Sequence, residues 1–259
     1  MFVEVNGLLL NTVSFGSGSR TLLAHGGWVA SWELWQQPME LLSDQWRCVS
    51  YDHRGAGLSV VPIEQITLQG CVDDVVGVMD ALRIERCIVA AESLGAPIVI
   101  SALLRHPERF EGLVIVDGVP PSTKAKQAGE APQPEASKER PDYDTVVAAF
   151  VDRCIPEPES EHLRRWGREI LMRAGGEAAF RMTATATTDP LPPVDLSRIS
   201  VPTLVMHGSA DVIVPPELGR QVAHEIPDAQ FLLIEGAGHV PTITRPLEVV
   251  EAIRARFGR

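Results

Sequence analysis

Short apolar segments that alternate with helical segments constrain the fold of this chain most strongly. Residues 21–24, 86–91 and 201–206 are rich in apolar side chains, as expected of strands that are buried on both faces of a sheet. Segments with helical periodicity, such as 67–82 and 94–105, lie between them. This alternation predicts the α/β class, with a mostly parallel sheet and helices on both of its faces.

The same patterns predict local structure in the first part of the chain. Residues 2–15 are expected to form a β-hairpin around Asn6-Gly7, a pair that favours the tight turn between antiparallel strands. A helix is predicted at 32–42, with Ser31 as its N-cap. In the predicted helix 67–82, three acidic residues are expected to lie off the apolar face: Asp73, Asp74 and Asp80.

The strand and helix alternation stops in the middle of the chain. Residues 122–142 are rich in Lys, Glu, Ala and Pro and have almost no large apolar side chain, which favours an exposed, mobile loop. Residues 143–188 have helical patterns. We therefore predict a core at 1–121 and 198–259, interrupted by a helical cap insertion at 122–197. The insertion is expected to stand over the carboxyl ends of the strands, where open α/β sheets bind ligands.

The charge and the cysteine content argue against several functional classes. Lys and Arg number 23 and Asp and Glu 34, and the resulting net charge of −11 argues against a nucleic-acid partner. The 4 cysteines have no C-x-x-C spacing, so we expect free thiols and no zinc site. Neither a secretory signal nor a membrane-spanning segment is recognisable, which favours a cytoplasmic protein without a membrane partner. The oligomeric state is left open.

A serine lies at the turn between a predicted strand and a predicted helix. Ser93 follows the strand 86–91, and the residues two before and two after it, Ala91 and Gly95, are small enough for a sharp bend. The backbone N–H groups after Ser93 open the helix 94–105 and therefore lack helical partners. Such a turn presents both a hydroxyl group and donors for an oxyanion above the sheet.

Glycine-bearing loops follow other predicted strands. Residues 25–28 (His-Gly-Gly-Trp) follow one strand, and Asp211 and His239 each lie just beyond a later one. Residues 52–59 also contain glycines, but they lack the Gly-Lys-Ser/Thr ending of a phosphate-binding loop. A serine hydroxyl needs a base with a pKa near 7, and the base needs an acid that fixes its tautomer. We expect Ser93 to meet both at the carboxyl edge of the sheet.

On these residues the chain resembles the α/β hydrolases, and the resemblance extends over essentially its whole length. The chain order Ser, Asp, His is the one that this family uses. The resemblance implies that Ser93 is the nucleophile, His239 the general base and then acid, and Asp211 the partner that orients the imidazole. It implies no cofactor and no metal ion. Ala91 departs from the glycine that is usual at that position.

The resemblance also implies an oxyanion hole, and the residues themselves suggest substrate contacts and a lid. The oxyanion hole is expected at the backbone N–H groups of Gly27 and Leu94, with Trp28 as the alternative to Gly27. Trp28 and Trp166 are the predicted substrate contacts. Apolar residues of the insertion are expected either to form a lid or to pack on the core: Phe150, Trp166, Met172, Phe180 and Met182.

The predicted function is hydrolysis of carboxylic esters or lactones through an acyl-enzyme, with a neutral, small-to-medium acyl compound as substrate. A serine nucleophile argues against the dehalogenase and epoxide-hydrolase branches of the family, which use an aspartate. Cleavage of C–C bonds or amides and perhydrolysis remain open, because the same triad supports them. The alternative from another class is a ligand-binding receptor that has lost turnover.

Two further groups of residues need an interpretation. Glu92, directly before the serine, is either a hydrogen-bonded acid that points away from the hydroxyl, or a charge that raises the basicity of His239. The other histidines of interest have no evident acid partner at ligand spacing, and we expect them to be structural or on the surface: His53, His106, His162, His207 and His224.

Overall fold

The computed structural model describes residues 1–121 and 142–258, and within these ranges eight strands form one sheet. Their bounds are Phe2–Val5 (β1), Leu8–Phe15 (β2), Arg20–His25 (β3), Trp46–Tyr51 (β4), Cys87–Glu92 (β5), Phe110–Val116 (β6), Thr203–Gly208 (β7) and Ala229–Ile234 (β8). They lie in the order β1-β2-β4-β3-β5-β6-β7-β8. β2 is antiparallel to β1 and β4, and all neighbours from β4 to β8 are parallel. The predicted sheet and hairpin are confirmed.

Helices follow most of the strands. Trp32–Trp35 is a short 3-10 helix, and the α-helices of the described residues are Gln36–Leu42 (α1), Leu68–Ala81 (α2), Gly95–Arg105 (α3), Tyr143–Cys154 (α4), Glu161–Met172 (α5), Gly175–Thr188 (α6), Pro216–Glu225 (α7), Pro241–Thr244 (α8) and Pro246–Phe257 (α9). No helix in the described ranges is both long and apolar enough to cross a bilayer.

The direction of the connections places the helices on both faces of the sheet. From β3 through α1 to β4 the chain moves toward the hairpin, whereas from β4 through α2 to β5 it moves the opposite way. Because such crossovers are right-handed, α1 and α2 lie on opposite faces. α3 packs beside α2, and α9 packs beside α1. The direction reverses between β3 and β5, so the carboxyl ends of these two strands border a crevice.

Between β6 and β7 the chain leaves the sheet and forms α4, α5 and α6. The boundaries 122–197 of the cap insertion stay a prediction. The mobile loop predicted at 122–142 falls almost entirely on residues 122–141, which lie outside the described residues. Asp142 itself caps α4, because its carboxylate accepts a hydrogen bond of 3.1 Å from the Thr145 N–H.

Ser31 lies at the predicted N-cap, but the segment begins as a 3-10 helix and the Ser31 hydroxyl donates to the Glu33 carboxylate at 2.7 Å, so its side chain caps no backbone N–H. One local prediction is wrong. Asp74 is not off the apolar face of α2 but fully buried. Its carboxylate accepts two hydrogen bonds from the buried Arg54 guanidinium, at 2.8 Å from Nε and 2.7 Å from Nη2. A buried acid is tolerated only with such a partner.

Candidate active site

The nucleophile candidate lies on a strained turn directly after β5. Ser93 has a φ angle of +53°, an unfavourable value for a side chain that is not glycine. Gly95 begins α3 under a tight constraint: a Cβ atom there would lie 2.5 Å from the Gly26 carbonyl oxygen and 3.0 Å from Nδ1 of His25. The bend that was predicted from Ala91 and Gly95 therefore occurs, and it holds the serine at the edge of the crevice.

A continuous hydrogen-bonded chain joins the three predicted triad residues. Ser93 Oγ lies 2.9 Å from His239 Nε2, and His239 Nδ1 lies 2.7 Å from Asp211 Oδ2. Because an ionised carboxylate only accepts, Nδ1 carries the hydrogen and Nε2 is left to accept the serine proton. His239 and Asp211 are buried, and Ser93 is partly exposed. The geometry is that of a nucleophile, a base and an orienting acid.

The environment of Asp211 keeps its carboxylate charged. Its Oδ1 accepts hydrogen bonds from the N–H groups of Ile213 at 2.7 Å and Val214 at 3.0 Å. Burial raises the pKa of Asp211, but the hydrogen bonds to His207, His239 and the backbone outweigh it and hold the pKa well below its usual range. A charged Asp211 would stabilise an imidazolium formed on His239.

Two stacked histidines support the loop that follows β3. The rings of His25 and His53 lie 5.2 Å apart and are nearly parallel. His25 Nδ1 lies 2.7 Å from the Gly26 carbonyl oxygen, and His53 Nε2 lies 3.1 Å from that of Gly27. Burial lowers the pKa of both rings, that of His25 to about 3, so both are neutral donors. A Cβ atom on Gly27 would lie 3.2 Å from that of Ser93, so this loop borders the serine directly.

A cavity that is partly open to solvent lies beside Ser93 and His239. Its lining is almost entirely apolar and comes from the core and from α4 and α5: Gly27, Trp28, Ala30, Leu34, Phe150, Val151, Cys154, Ile155, Gly167, Ile170, Leu171, Val240 and Ile243, together with Glu92. Trp28 packs edge-on against Phe150, with ring centroids 5.4 Å apart. Among the described residues, no lysine or arginine lines this cavity.

Comparison with known proteins assigns the chain to a family. The model of the alpha/beta hydrolase family matches residues 21–252. This chain is an α/β hydrolase. It is 27% identical over 248 residues to the putative carbamate hydrolase RutD of Caulobacter sp. (strain K31), which covers 89% of this chain and 87% of that protein. The matches support a hydrolase activity.

A second relative and one solved structure agree with this assignment. The α/β hydrolase described here is 30% identical over 245 residues to 2-hydroxymuconate semialdehyde hydrolase of Pseudomonas sp. (strain CF600). The alignment covers 90% of this chain and 84% of that protein. The crystal structure of the enol-lactonase from Burkholderia xenovorans LB400 aligns over 100% of both chains with a TM-score of 0.82 and 20% identity. At that identity the likeness concerns the fold alone.

The prediction that His207 has no acid partner is wrong. In this hydrolase its Nε2 lies 3.3 Å from Asp211 Oδ2 and 3.4 Å from Asp117 Oδ1, and all three side chains are buried. Burial lowers the pKa of His207, but the hydrogen bond to Asp211 and the charge of Asp117 outweigh it, so the pKa is raised. His207 is therefore a second buried partner of the Asp211 carboxylate, in addition to His239. The spacing of four residues between His207 and Asp211 is the feature of the sequence that could have indicated this contact.

Asp117, His207 and Asp211 are residue types that bind metal ions, and their ligand atoms lie within 4.8 Å of one another. However, His207 Nε2 lies 2.9 Å from the Val214 carbonyl oxygen. A carbonyl oxygen only accepts hydrogen bonds, so Nε2 carries a hydrogen and offers no lone pair to a metal ion. The donor set does not fit a resident metal.

Glu92 is a buried acid beside the nucleophile. Its Oε2 accepts a hydrogen bond of 2.6 Å from the Thr242 hydroxyl, and its Oε1 has no partner among the described residues. Burial raises the pKa of Glu92 well above its ordinary value; the Thr242 bond lowers it, and the charge of Asp211 raises it further. A protonated Glu92 carries no charge that would act on His239. The interpretation as a hydrogen-bonded acid fits the structure, although Glu92 also lines the cavity.

The remaining predicted residues are divided between the cavity, the core and the surface. Trp28 and Phe150 line the cavity, whereas Trp166 is half-buried against the core and does not line it. Within the insertion, Met182 is buried and Met172 is exposed. The surface histidines are His106, His162 and His224, and the buried free cysteines are Cys48, Cys71, Cys87 and Cys154.

Proposed function

We propose that this α/β hydrolase is a serine hydrolase that cleaves carboxylic esters or lactones. The observation that carries the proposal is the hydrogen-bonded chain from Ser93 through His239 to Asp211, with distances of 2.9 and 2.7 Å. In the first step Ser93 Oγ attacks the carbonyl carbon while His239 Nε2 takes the hydroxyl proton. The imidazolium then returns this proton to the leaving alcohol, and an acyl-enzyme remains.

The acyl-enzyme is hydrolysed by the same groups. His239 takes a proton from water, the hydroxide attacks the acyl carbonyl, and the serine recovers its proton as the acid leaves. In both steps negative charge develops on the carbonyl oxygen. We propose that the backbone N–H groups of Gly27 and Leu94 bind this oxygen, because Gly27 borders Ser93 and Leu94, the N-cap of α3, directly follows it.

The cavity supports a neutral acyl group as substrate. A carboxylate or phosphate buried in an apolar lining without a cation would lose its hydration uncompensated, and no lysine or arginine among the described residues lines this cavity. We also propose that residues 122–197 form a cap, because α4 and α5, which lie within that range, supply Phe150, Val151, Ile170 and Leu171 to the lining.

The test is a panel of p-nitrophenyl esters of increasing acyl length and of lactones, with wild type and Ser93→Ala. We expect turnover that is lost in Ser93→Ala and kept in Ser101→Ala, a control on α3 whose hydroxyl donates to the Pro97 carbonyl oxygen. Labelling of wild type by a fluorophosphonate, located at Ser93 by mass spectrometry, would show the acyl-enzyme chemistry directly. Absence of both turnover and labelling, with tight binding of a ligand, would support a receptor instead.

A second candidate is hydrolysis of a bond other than an ester, since the relative with 30% identity is named for 2-hydroxymuconate semialdehyde and RutD for a carbamate. The same triad supports attack on each of these carbonyl compounds. The panel therefore includes both compounds. A kcat/KM for either that exceeds the value for every ester and lactone would replace the ester assignment, while retaining Ser93 as the nucleophile.

A further inference from the structure

The connection between α4 and α5 touches the loop that carries His239. The buried Glu157 carboxylate accepts a hydrogen bond of 2.9 Å at Oε1 from the Gly238 N–H. The next backbone N–H, that of His239, donates to the Cys154 carbonyl oxygen at 2.8 Å. Two consecutive amides of the histidine loop are thus held by one short segment outside the sheet.

The contact between this segment and the loop is close. A Cβ atom on Gly238 would lie 2.3 Å from Pro156 Cδ and 2.4 Å from the Cys154 carbonyl oxygen, so only glycine allows the two backbones to approach this far. The segment is fixed on its other side as well. Arg164 Nη1 donates to the carbonyl oxygens of Ile155 at 2.9 Å and Glu157 at 3.3 Å.

The same segment faces the substrate cavity. Cys154 and Ile155 line the cavity, and Glu157 follows two residues later. Residues that line the cavity and the residue that holds the loop of the proposed general base therefore belong to one short segment. At Gly238, the side chain that accepts from the backbone N–H of the histidine loop is that of Glu157.

We propose that Glu157 is a positioning residue, which holds His239 within hydrogen-bond distance of Ser93 by accepting from the Gly238 N–H. This inference rests on the proposed serine hydrolase activity. Without the Glu157 carboxylate, the buried Gly238 N–H has no acceptor there, which is unfavourable in free energy. The loop is then expected to move to a position where this N–H finds another partner. The imidazole then moves with the loop, while the apolar lining that binds the acyl group stays in place.

Two variants distinguish the role of Glu157 as a hydrogen-bond acceptor from the role of its charge. Glu157→Gln keeps an oxygen at the same distance but removes the charge; Glu157→Asp keeps the charge but withdraws the oxygens by one methylene. We expect kcat to fall at least ~10-fold in Glu157→Asp, the effect of about 1.4 kcal/mol from one buried hydrogen bond, with KM changed less than about 3-fold. Glu157→Gln and the exposed control Glu169→Gln on α5 should keep kcat within about 2-fold of wild type.

A second readout does not depend on turnover. The Nδ1 proton of His239, bonded to Asp211, should give a downfield resonance in the proton NMR spectrum of wild type, Glu157→Gln and Glu169→Gln. We expect it to shift or broaden in Glu157→Asp. If wild type hydrolyses no ester, the proposed function fails, and this resonance still tests the positioning role.

Two results would overturn the inference. One is a Glu157→Asp variant that keeps both its kcat and the resonance of wild type, since the acceptor would then be dispensable. The other is a Glu157→Gln variant that is impaired as much as Glu157→Asp or that does not fold, since the charge or the packing, and not hydrogen-bond acceptance, would be what matters.

Discussion

Replacing Glu92 with Gln should stabilise this protein, and more so at neutral than at acidic pH. Glu92 is fully buried, and its raised pKa means that the folded protein keeps this proton above the pH at which the unfolded chain loses it. In that window the unfolded state binds fewer protons than the folded state, so stability falls as pH rises. Gln has nearly the same shape as the protonated acid, accepts the Thr242 hydrogen bond, and does not titrate.

The size of the effect follows from the pH interval. The unfolded glutamate has its ordinary pKa of 4.5, and each pH unit above it costs 1.36 kcal/mol until the raised pKa is reached. The advantage of Glu92→Gln over wild type should therefore grow between pH 5 and pH 7, by at most about 2.7 kcal/mol, which is 1.36 kcal/mol for each of the two pH units.

The assay is urea unfolding at both pH values, with the free energy of unfolding extrapolated to water. Glu169→Gln, at an exposed site on α5, is the matched control and should show no pH-dependent difference from wild type. If Glu92→Gln instead loses stability relative to wild type as the pH rises, the carboxyl is ionised in the folded protein. The argument from burial would then be wrong, and the interpretation of Glu92 as a charge acting on His239 would return.

Three other substitutions test the geometry. Asp211→Asn should lower kcat by about 10³- to 10⁴-fold in steady-state assays, because an amide favours the wrong tautomer of the imidazole. Gly95→Ala should cost about 1–3 kcal/mol in urea unfolding, since its Cβ would lie 2.5 Å from a backbone carbonyl oxygen. Asp74→Asn should cost about 3–5 kcal/mol by leaving the buried Arg54 guanidinium without its counter-charge. The exposed neighbour Asp73→Asn should change the stability by less than about 0.5 kcal/mol.

The sheet was predictable because its signals are local. The strands that are buried on both faces are continuous apolar segments, and the Asn6-Gly7 turn indicates the hairpin by its residue types alone. The candidate triad was also accessible, because Ser93, Asp211 and His239 each follow a strand. Parallel strands bring their carboxyl ends to one edge whatever lies between them in the chain.

Buried acids were the main failure of the sequence-based interpretation. Asp74 lies on a helix whose acidic neighbours are exposed, and its burial is explained by two long-range partners, the Arg54 guanidinium and the Asn6 side-chain amide. Glu157 lies among prolines and other acids, in a segment without periodicity, and its partner Gly238 is far away in the sequence. A pattern of hydrophobicity carries no information about such pairs, since each depends on how two segments that are distant in the sequence approach one another.

The order of the proposed catalytic groups along the chain has a consequence for protein synthesis. A ribosome produces Ser93, the glycine loop after β3 and the first six strands before it produces β7 and β8. Asp211 and His239 follow those two strands, which extend the sheet beyond β6. We therefore expect the Ser93 hydroxyl of a nascent polypeptide to stay unactivated until both strands have joined the sheet.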